Sequence, residues 1–269
     1  MIKLYVKVYF LIKFVVILHS NNFSQMDKKR YELFRNNPIE LAIIQLRYKA
    51  ISDFPSEKIK KMGIEYLPEL PITEEKILIK IDSTSKMEDT KLILDKGNVH
   101  AVRFKTKDET IALTVGANNF FYEIKDAYPG WEELHNRFEK YWQIFKELLN
   151  LEYLDGISLR YINKFKLPDD LIDISEYFNT HVETKDSISI NDFHIRYSSS
   201  DNNIVTRVGH TLEPFNGEKY PYIFDIDIIY SHKMENDDAL IWSVFEELHY
   251  KIIDAFIAST TEKTKDLIR

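Results

Sequence analysis

Gln45-Leu46-Arg47-Tyr48 recurs downstream as Ser158-Leu159-Arg160-Tyr161, and Trp131-Glu132-Glu133-Leu134-His135 recurs as Phe245-Glu246-Glu247-Leu248-His249. The two matches keep the same offset to within one residue, which predicts a duplicated architecture. Outward from the first string, residues 41–48 are rich in branched apolar side chains and follow an Asn-Asn-Pro breaker, as a strand start does. Phe54-Pro55-Ser56 introduces a short helix over 56–66, closed by Pro68 and Pro71. Strands are predicted over 76–82, 99–105, 110–115 and 120–125, separated by acidic or glycine-bearing turns. After Pro129-Gly130, Trp131, Leu134, Phe138, Tyr141, Phe145 and Leu148 alternate by three and four, drawing one apolar stripe along a helix.

Around the second string the order repeats. A strand over 156–165 and a weak helix over 169–178 precede strands over 193–197, 205–211 and 222–230. Asn236-Asp237-Asp238 supplies capping residues for a closing helix with Ile241, Phe245, Leu248, Ile252 and Phe256 on one face. The predicted fold class is α+β: two pseudo-repeated antiparallel sheets, each packed against a long C-terminal amphipathic helix. The halves run over 26–150 and 151–269.

Residues 1–25 read differently. The run from Met1 to Leu18 is apolar but carries Lys3, Lys7 and Lys13, and His19-Ser20-Asn21-Asn22 follows it. It is the wrong shape for a secretory signal and too short and charged for a spanning helix. Translation is expected to begin at Met26, the upstream run being an over-extended start, with a membrane signal anchor as the alternative. Without residues 1–25 the chain loses three lysines and no acids.

The net charge of −7 argues against broad nucleic-acid binding, and the absence of cysteine removes disulfides, thiolate metal sites and a cysteine nucleophile. Neither GxGxxG nor GxxxxGK[ST] occurs among the seven glycines. No HxH, HxxxH or HExxH spacing occurs among the eight histidines, and no GxSxG is found. His135 and His249, at equivalent points of the two long helices, are expected to hydrogen-bond at the helix–sheet junction. Ser198-Ser199-Ser200-Asp201 reads as a hairpin turn, and Lys58, Lys60 and Lys61 as the wet side of a short helix.

Asn37-Pro38-Ile39-Glu40 ahead of a strand ending Leu-Arg-Tyr, the Phe-Pro helix and Leu159-Arg160-Tyr161-Ile162-Asn163-Lys164 in mid-chain carry a resemblance. The chain resembles a sporadically distributed family of uncharacterised bacterial proteins, with strings close to PLxE near the start and LRYINRI in the middle, over roughly residues 36–262. Ile39 stands where leucine is usual and Lys164 where arginine is usual, so bidentate recognition at 164 is not implied. The resemblance implies a cytosolic bacterial accessory protein and carries over no catalytic residues.

Strand alternation gives these strings a physical reading. Leu46 and Tyr48 share one face and Arg47 takes the other; Tyr161 and Arg160, and Tyr197 and Arg196, divide in the same way. Three guanidiniums on one surface could hold phosphate or carboxylate, the plainer alternative being that each pairs with a neighbouring acid. The candidate binding residues are Arg47, Arg160, Asn163, Lys164 and Arg196. Asp225 and Asp227 share a strand face and are weak candidates for a divalent metal, ordinary alternation explaining them equally well.

The expected function is a non-enzymatic binding or regulatory module, cytoplasmic and without a cofactor. The alternative is a metal-dependent hydrolase or nuclease using Asp225 and Asp227, and a small-ligand sensor using the arginine face is a third. Catalytic residues are unassigned. The expected partner is another protein encoded nearby or an anionic ligand; nucleic acid is not expected, nor a membrane unless residues 1–25 are translated.

Overall fold

The computed structural model describes residues 36–77, 99–126, 128–168, 173–181 and 192–269. The chain start at 1–25, the run of 78–82 and residues 169–172 of the weak helix lie outside the described residues.

The fold is α+β around one large antiparallel sheet. In chain order the elements are β1 (Ile39–Arg47), α1 (Ser56–Tyr66), β2 (Ile72–Ile77), β3 (Val99–Lys105), β4 (Ile111–Gly116), β5 (Asn119–Lys125) and α2 (Trp131–Leu149). There follow β6 (Tyr153–Leu154), β7 (Gly156–Leu167), β8 (Phe193–Asp201), β9 (Ile204–Leu212), β10 (Tyr220–Tyr230), β11 (Met234–Glu235), α3 (Asp238–Ser259) and α4 (Glu262–Asp266). Of the weak helix, only a 3₁₀ turn at Ile174–Glu176 is described, with the Asp173 side chain accepting from Ser175 N.

The expectation of two sheets is corrected: among the described residues nine strands form one sheet in the order β2-β3-β4-β5-β1-β7-β10-β9-β8, and β6 pairs with β11 separately. The join is β1 against β7. Gln45 and Ser158, which open the two repeated strings, are direct cross-strand partners, and Ser158 Oγ donates to Gln45 Oε1 at 3.2 Å. Outward from that pair, β5, β4 and β3 follow on one side and β10, β9 and β8 on the other. Two strands with apolar faces and unpaired edges satisfy each other's backbone groups by pairing, which local sequence patterns do not reveal.

Directly opposed residues share a sheet face, so the pairs Ala42–Tyr161, Ile44–Leu159 and Leu46–Ile157, all buried, put the apolar faces of both halves on one side. All three longer helices pack there. α2 lies over β5 and β1, α3 over β7 and β10, and α1 against β3 and α2.

Aromatic rings fill the layer between helices and sheet. Phe120 meets Phe138 at 5.4 Å and Trp142 at 5.2 Å under α2, while Phe178 stacks on Tyr222 at 3.9 Å and approaches Phe224 on the α3 side. Edge-to-face and offset contacts of this kind add to the burial of their area. Buried within the second cluster is His210, its Nδ1 2.7 Å from the Tyr222 hydroxyl.

α2 and α3 meet through Phe138 and Phe245 and through a stack of Trp131 on His249, ring centroids 4.4 Å apart. His135 stands edge-on to Trp242 at 5.0 Å. Both histidines therefore mark a helix–helix seam, not the expected hydrogen bond to the sheet: His135 Nε2 and His249 Nδ1 are buried without hydrogen-bond partners. Trp131 Nε1 ties the seam by donating to Glu246 Oε1 at 2.8 Å.

α3 begins where its capping residues predict, with the Asp237 side chain accepting from Leu240 N at 2.9 Å. The expected serine turn is displaced. β8 runs on through Ser198–Asp201, and Asn202 and Asn203 turn the hairpin with φ of 45° and 68°. A two-residue turn of this type has positive φ at both positions, which asparagine tolerates better than serine.

Gly63 lets α1 approach the sheet, since a Cβ there would lie 2.1 Å from a ring carbon of Phe104. That ring is fully buried and stacked on Phe145, so it cannot swing away. Overpacking of about 1–3 kcal/mol exceeds the roughly 1 kcal/mol that alanine gains over glycine in a helix. Gly63→Ala is expected to lower unfolding free energy in urea denaturation.

Burial holds His249 and His210 down to a pKa of about 4, with nearby His135 adding to the effect at His249. A depressed folded-state value means that the unfolded chain takes up protons first, so stability is whole above about 6.5 and falls as pH drops toward 4. His249→Phe, which keeps a ring against Trp131, is expected to flatten that pH dependence by about one proton in urea titrations at several pH values.

Candidate functional site: an arginine-lined hollow on the open sheet face

The face of the sheet opposite the helices carries the charged residues. On β7, Ile157, Leu159, Tyr161, Phe165 and Leu167 are buried, whereas Arg160, Ile162 and Lys164 are half-buried or exposed on the other side. On β10, Tyr222, Phe224, Ile226 and Ile228 are buried, leaving Asp225 and Asp227 on the open face. The same alternation sends Arg196 out from β8 and Arg207 out from β9.

Register assembles these residues into rows. Ser198, Arg207, Asp227 and Arg160 stand opposite one another across β8, β9, β10 and β7, and Arg196, Gly209 and Asp225 form the adjacent row. Between the rows lies a hollow of about 140 Å³ lined by Arg160, Arg196, Arg207, Val208, Gly209, Asp225 and Asp227. A larger hollow of about 420 Å³ beside β6 and β11 is lined by Glu152, Glu235 and Asp237 with Asn236, whose amide donates to the Leu151 carbonyl.

Arg160 grips Asp225 diagonally with both prongs, Nε to Oδ1 at 2.8 Å and Nη2 to Oδ2 at 2.6 Å. Arg207 reaches Asp227 only at 3.8 Å. Burial pushes the Asp227 carboxyl above its ordinary value, and the opposing attraction of Arg160 and Arg207 does not fully offset it. Arg196 is exposed, and no hydrogen bond or ion pair engages it among the described residues.

The candidates named from sequence separate into distinct places. Arg160 and Arg196 line the hollow. Arg47 is on the same face but does not line the hollow; it stands opposite Asn119 and Gly156 with its Nε buried and without a partner, and its charge acts on Asp227. Asn163 lies in the interior: it is 2% exposed on the helix-covered side and donates through Nδ2 to the Phe224 carbonyl at 3.0 Å. Lys164 is exposed and pairs with Glu40 at 3.3 Å.

Arg207 was missed, although the alternation of Val205, Arg207 and Gly209 along a predicted strand would have placed it. For a metal, Asp225 has both oxygens committed to Arg160, and among the described residues no group of three histidine or acidic side chains is arranged to hold an ion. The Tyr partners keep to the other face as alternation requires: Tyr48 lies 2.7 Å from the Gly116 carbonyl and Tyr161 2.8 Å from the Tyr128 hydroxyl.

No protein-family model matches the chain, and a search of curated proteins finds no similar sequence. No helix among the described residues is long and apolar enough to cross a membrane.

Because the folded-state value of Asp227 is raised, its ionisation opposes folding; the associated stability is present below the ordinary value near 3.8 and is lost as pH rises through the folded value. Asp227→Asn is therefore expected to melt higher than the parent chain at pH 7, with the difference closing at pH 4, in paired thermal melts.

Proposed function

We propose that this chain is a non-enzymatic binding or regulatory module, a cytosolic bacterial accessory protein that docks an anionic partner surface on the open face of its sheet. The observation that carries the reading is the convergence of Arg160, Arg196 and Arg207 from three strands on one hollow, with Arg196 unengaged among the described residues and Arg207 loosely held. Guanidinium groups on a rigid sheet recognise carboxylate or phosphate with little reorganisation.

We further infer an internal duplication. Its support is the repeated strings, the pairing of Gln45 with Ser158 and the matching strand order to either side. In this reading the helices close one face of the doubled sheet and leave the other to a partner. The second copy has specialised: Arg160 faces Asp227, whereas Arg47 faces Asn119.

The partner is sought among the proteins encoded beside this one. Mixed with each of them, the purified chain is expected to form one complex by size-exclusion chromatography. Arg196→Glu with Arg207→Glu should abolish it while leaving the chain folded by circular dichroism; the melting temperature falls somewhat, because a second carboxylate at position 207 faces Asp227. A complex that survives the double charge reversal overturns the reading, as does a hydrolytic activity of the pure chain that Asp227→Asn abolishes.

A further inference from the structure

We propose that the hollow over Gly209 is a binding site for the phosphoryl group of a small phosphorylated ligand. The inference rests on the use of the open face proposed above, and it assigns the chemistry that the hollow accepts.

Size is the first argument. A hollow of about 140 Å³ admits a group of the size of a phosphate between the charged residues that line it.

The floor is the second argument. Gly209 stands in register between Arg196 on β8 and Asp225 on β10, and its neighbours Val208 and His210 turn toward the core. A Cβ added at Gly209 would lie 3.5 Å from Asp225 Cβ and 4.0 Å from Arg196 Nε, at ordinary contact distance and within the hollow. The missing side chain is thus what leaves the space between two charged residues, and the backbone there is not in the left-handed region.

Donor direction is the third argument. A carboxylate's two oxygens lie in one plane and suit donors that share it, as the Arg160 fork does on Asp225. Arg196 and Arg207 stand on adjacent strands in different rows. Donors set on two rows are better served by the non-coplanar oxygens of a phosphoryl group than by a planar carboxylate. Arg160 neutralises Asp225, whose Oδ2 would lie 3.9 Å from a Cβ at Gly209. Asp227 is the less fully paired acid in the lining: it repels the anion and lies 3.8 Å from Arg207.

The test is calorimetric titration of the full chain in low-salt buffer with inorganic phosphate, glycerol phosphate and acetate, low salt being needed because exposed charges are screened. Phosphate and its monoester are expected to bind and acetate at the same concentration is not; tighter binding of the monoester identifies a phosphorylated ligand as the source, and equal binding identifies free phosphate. Gly209→Leu, which fills the hollow, and Arg196→Ala should each weaken phosphate at least tenfold. Asp227→Asn should tighten it severalfold, a gain that damage to the fold does not produce. If Gly209→Leu fails to fold, Gly209→Ala, whose Cβ meets only ordinary contacts, replaces it with an expected severalfold loss.

Acetate binding as well as phosphate, or phosphate affinity unchanged in the folded Gly209 variant and in Arg196→Ala, overturns the proposal. Absence of phosphate binding, with a charge-sensitive protein complex retained, rejects the phosphoryl site alone and leaves the docking reading standing.

Discussion

The pairing of β1 with β7 is the constraint on which the rest of this structure depends. It joins what would otherwise be two sheets with exposed central edges, and it does so in a register that puts the buried residues of both strands on the same side. A slip of one residue would turn Ala42, Ile44 and Leu46 toward solvent while Leu159 and Tyr161 stayed beneath the helices. The Ser158–Gln45 hydrogen bond lies on the open face at the centre of this pairing. It is a minor energetic term beside the apolar pairs, but it gives two opposed polar side chains a partner.

One-sided burial follows from that register. With α2 and α3 on the same face, each half contributes its rings to a single layer, and the helices can seal against each other through Trp131, His249, Phe138 and Phe245. The buried histidines are kept neutral by this packing. Charged side chains are correspondingly excluded from the layer, so strand alternation delivers them to the opposite surface. Arg103 with Glu123, Lys105 with Glu74 and Glu109, and Arg160 with Asp225 are the result.

That surface is balanced unevenly. In the first half Lys105 has two acids, whereas in the second half three arginines share two aspartates around a glycine. The imbalance leaves donor capacity at Arg196 and Arg207 and a desolvated carboxyl at Asp227. A structure that served stability alone would have no need to gather a guanidinium unengaged among the described residues, a loosely paired one and a desolvated acid at one point, and this is the physical basis for reading the hollow as a place where something binds.

Local sequence by itself determined most strand and helix positions, because the periods of two and of 3.6 are properties of neighbouring residues, although it starts β2 four residues late and stops β8 short of Asp201. It also determined which side of its own strand each of Arg47, Arg160 and Arg196 occupies, and that Asp237 would cap the last helix. It could not determine strand neighbours, since pairing depends on residues more than a hundred positions apart, as between Gln45 and Ser158. Hence the sequence implies two sheets where the fold has one, it does not single out Arg207, and it does not show that Arg47 stands outside the hollow and acts on Asp227 through its charge. That Asn163 is bonded to the Phe224 carbonyl inside is likewise visible only in the fold. The hollow itself exists only in the tertiary structure, because a space over Gly209 between Arg196 and Asp225 comes into being when β8, β9 and β10 lie side by side in their particular register.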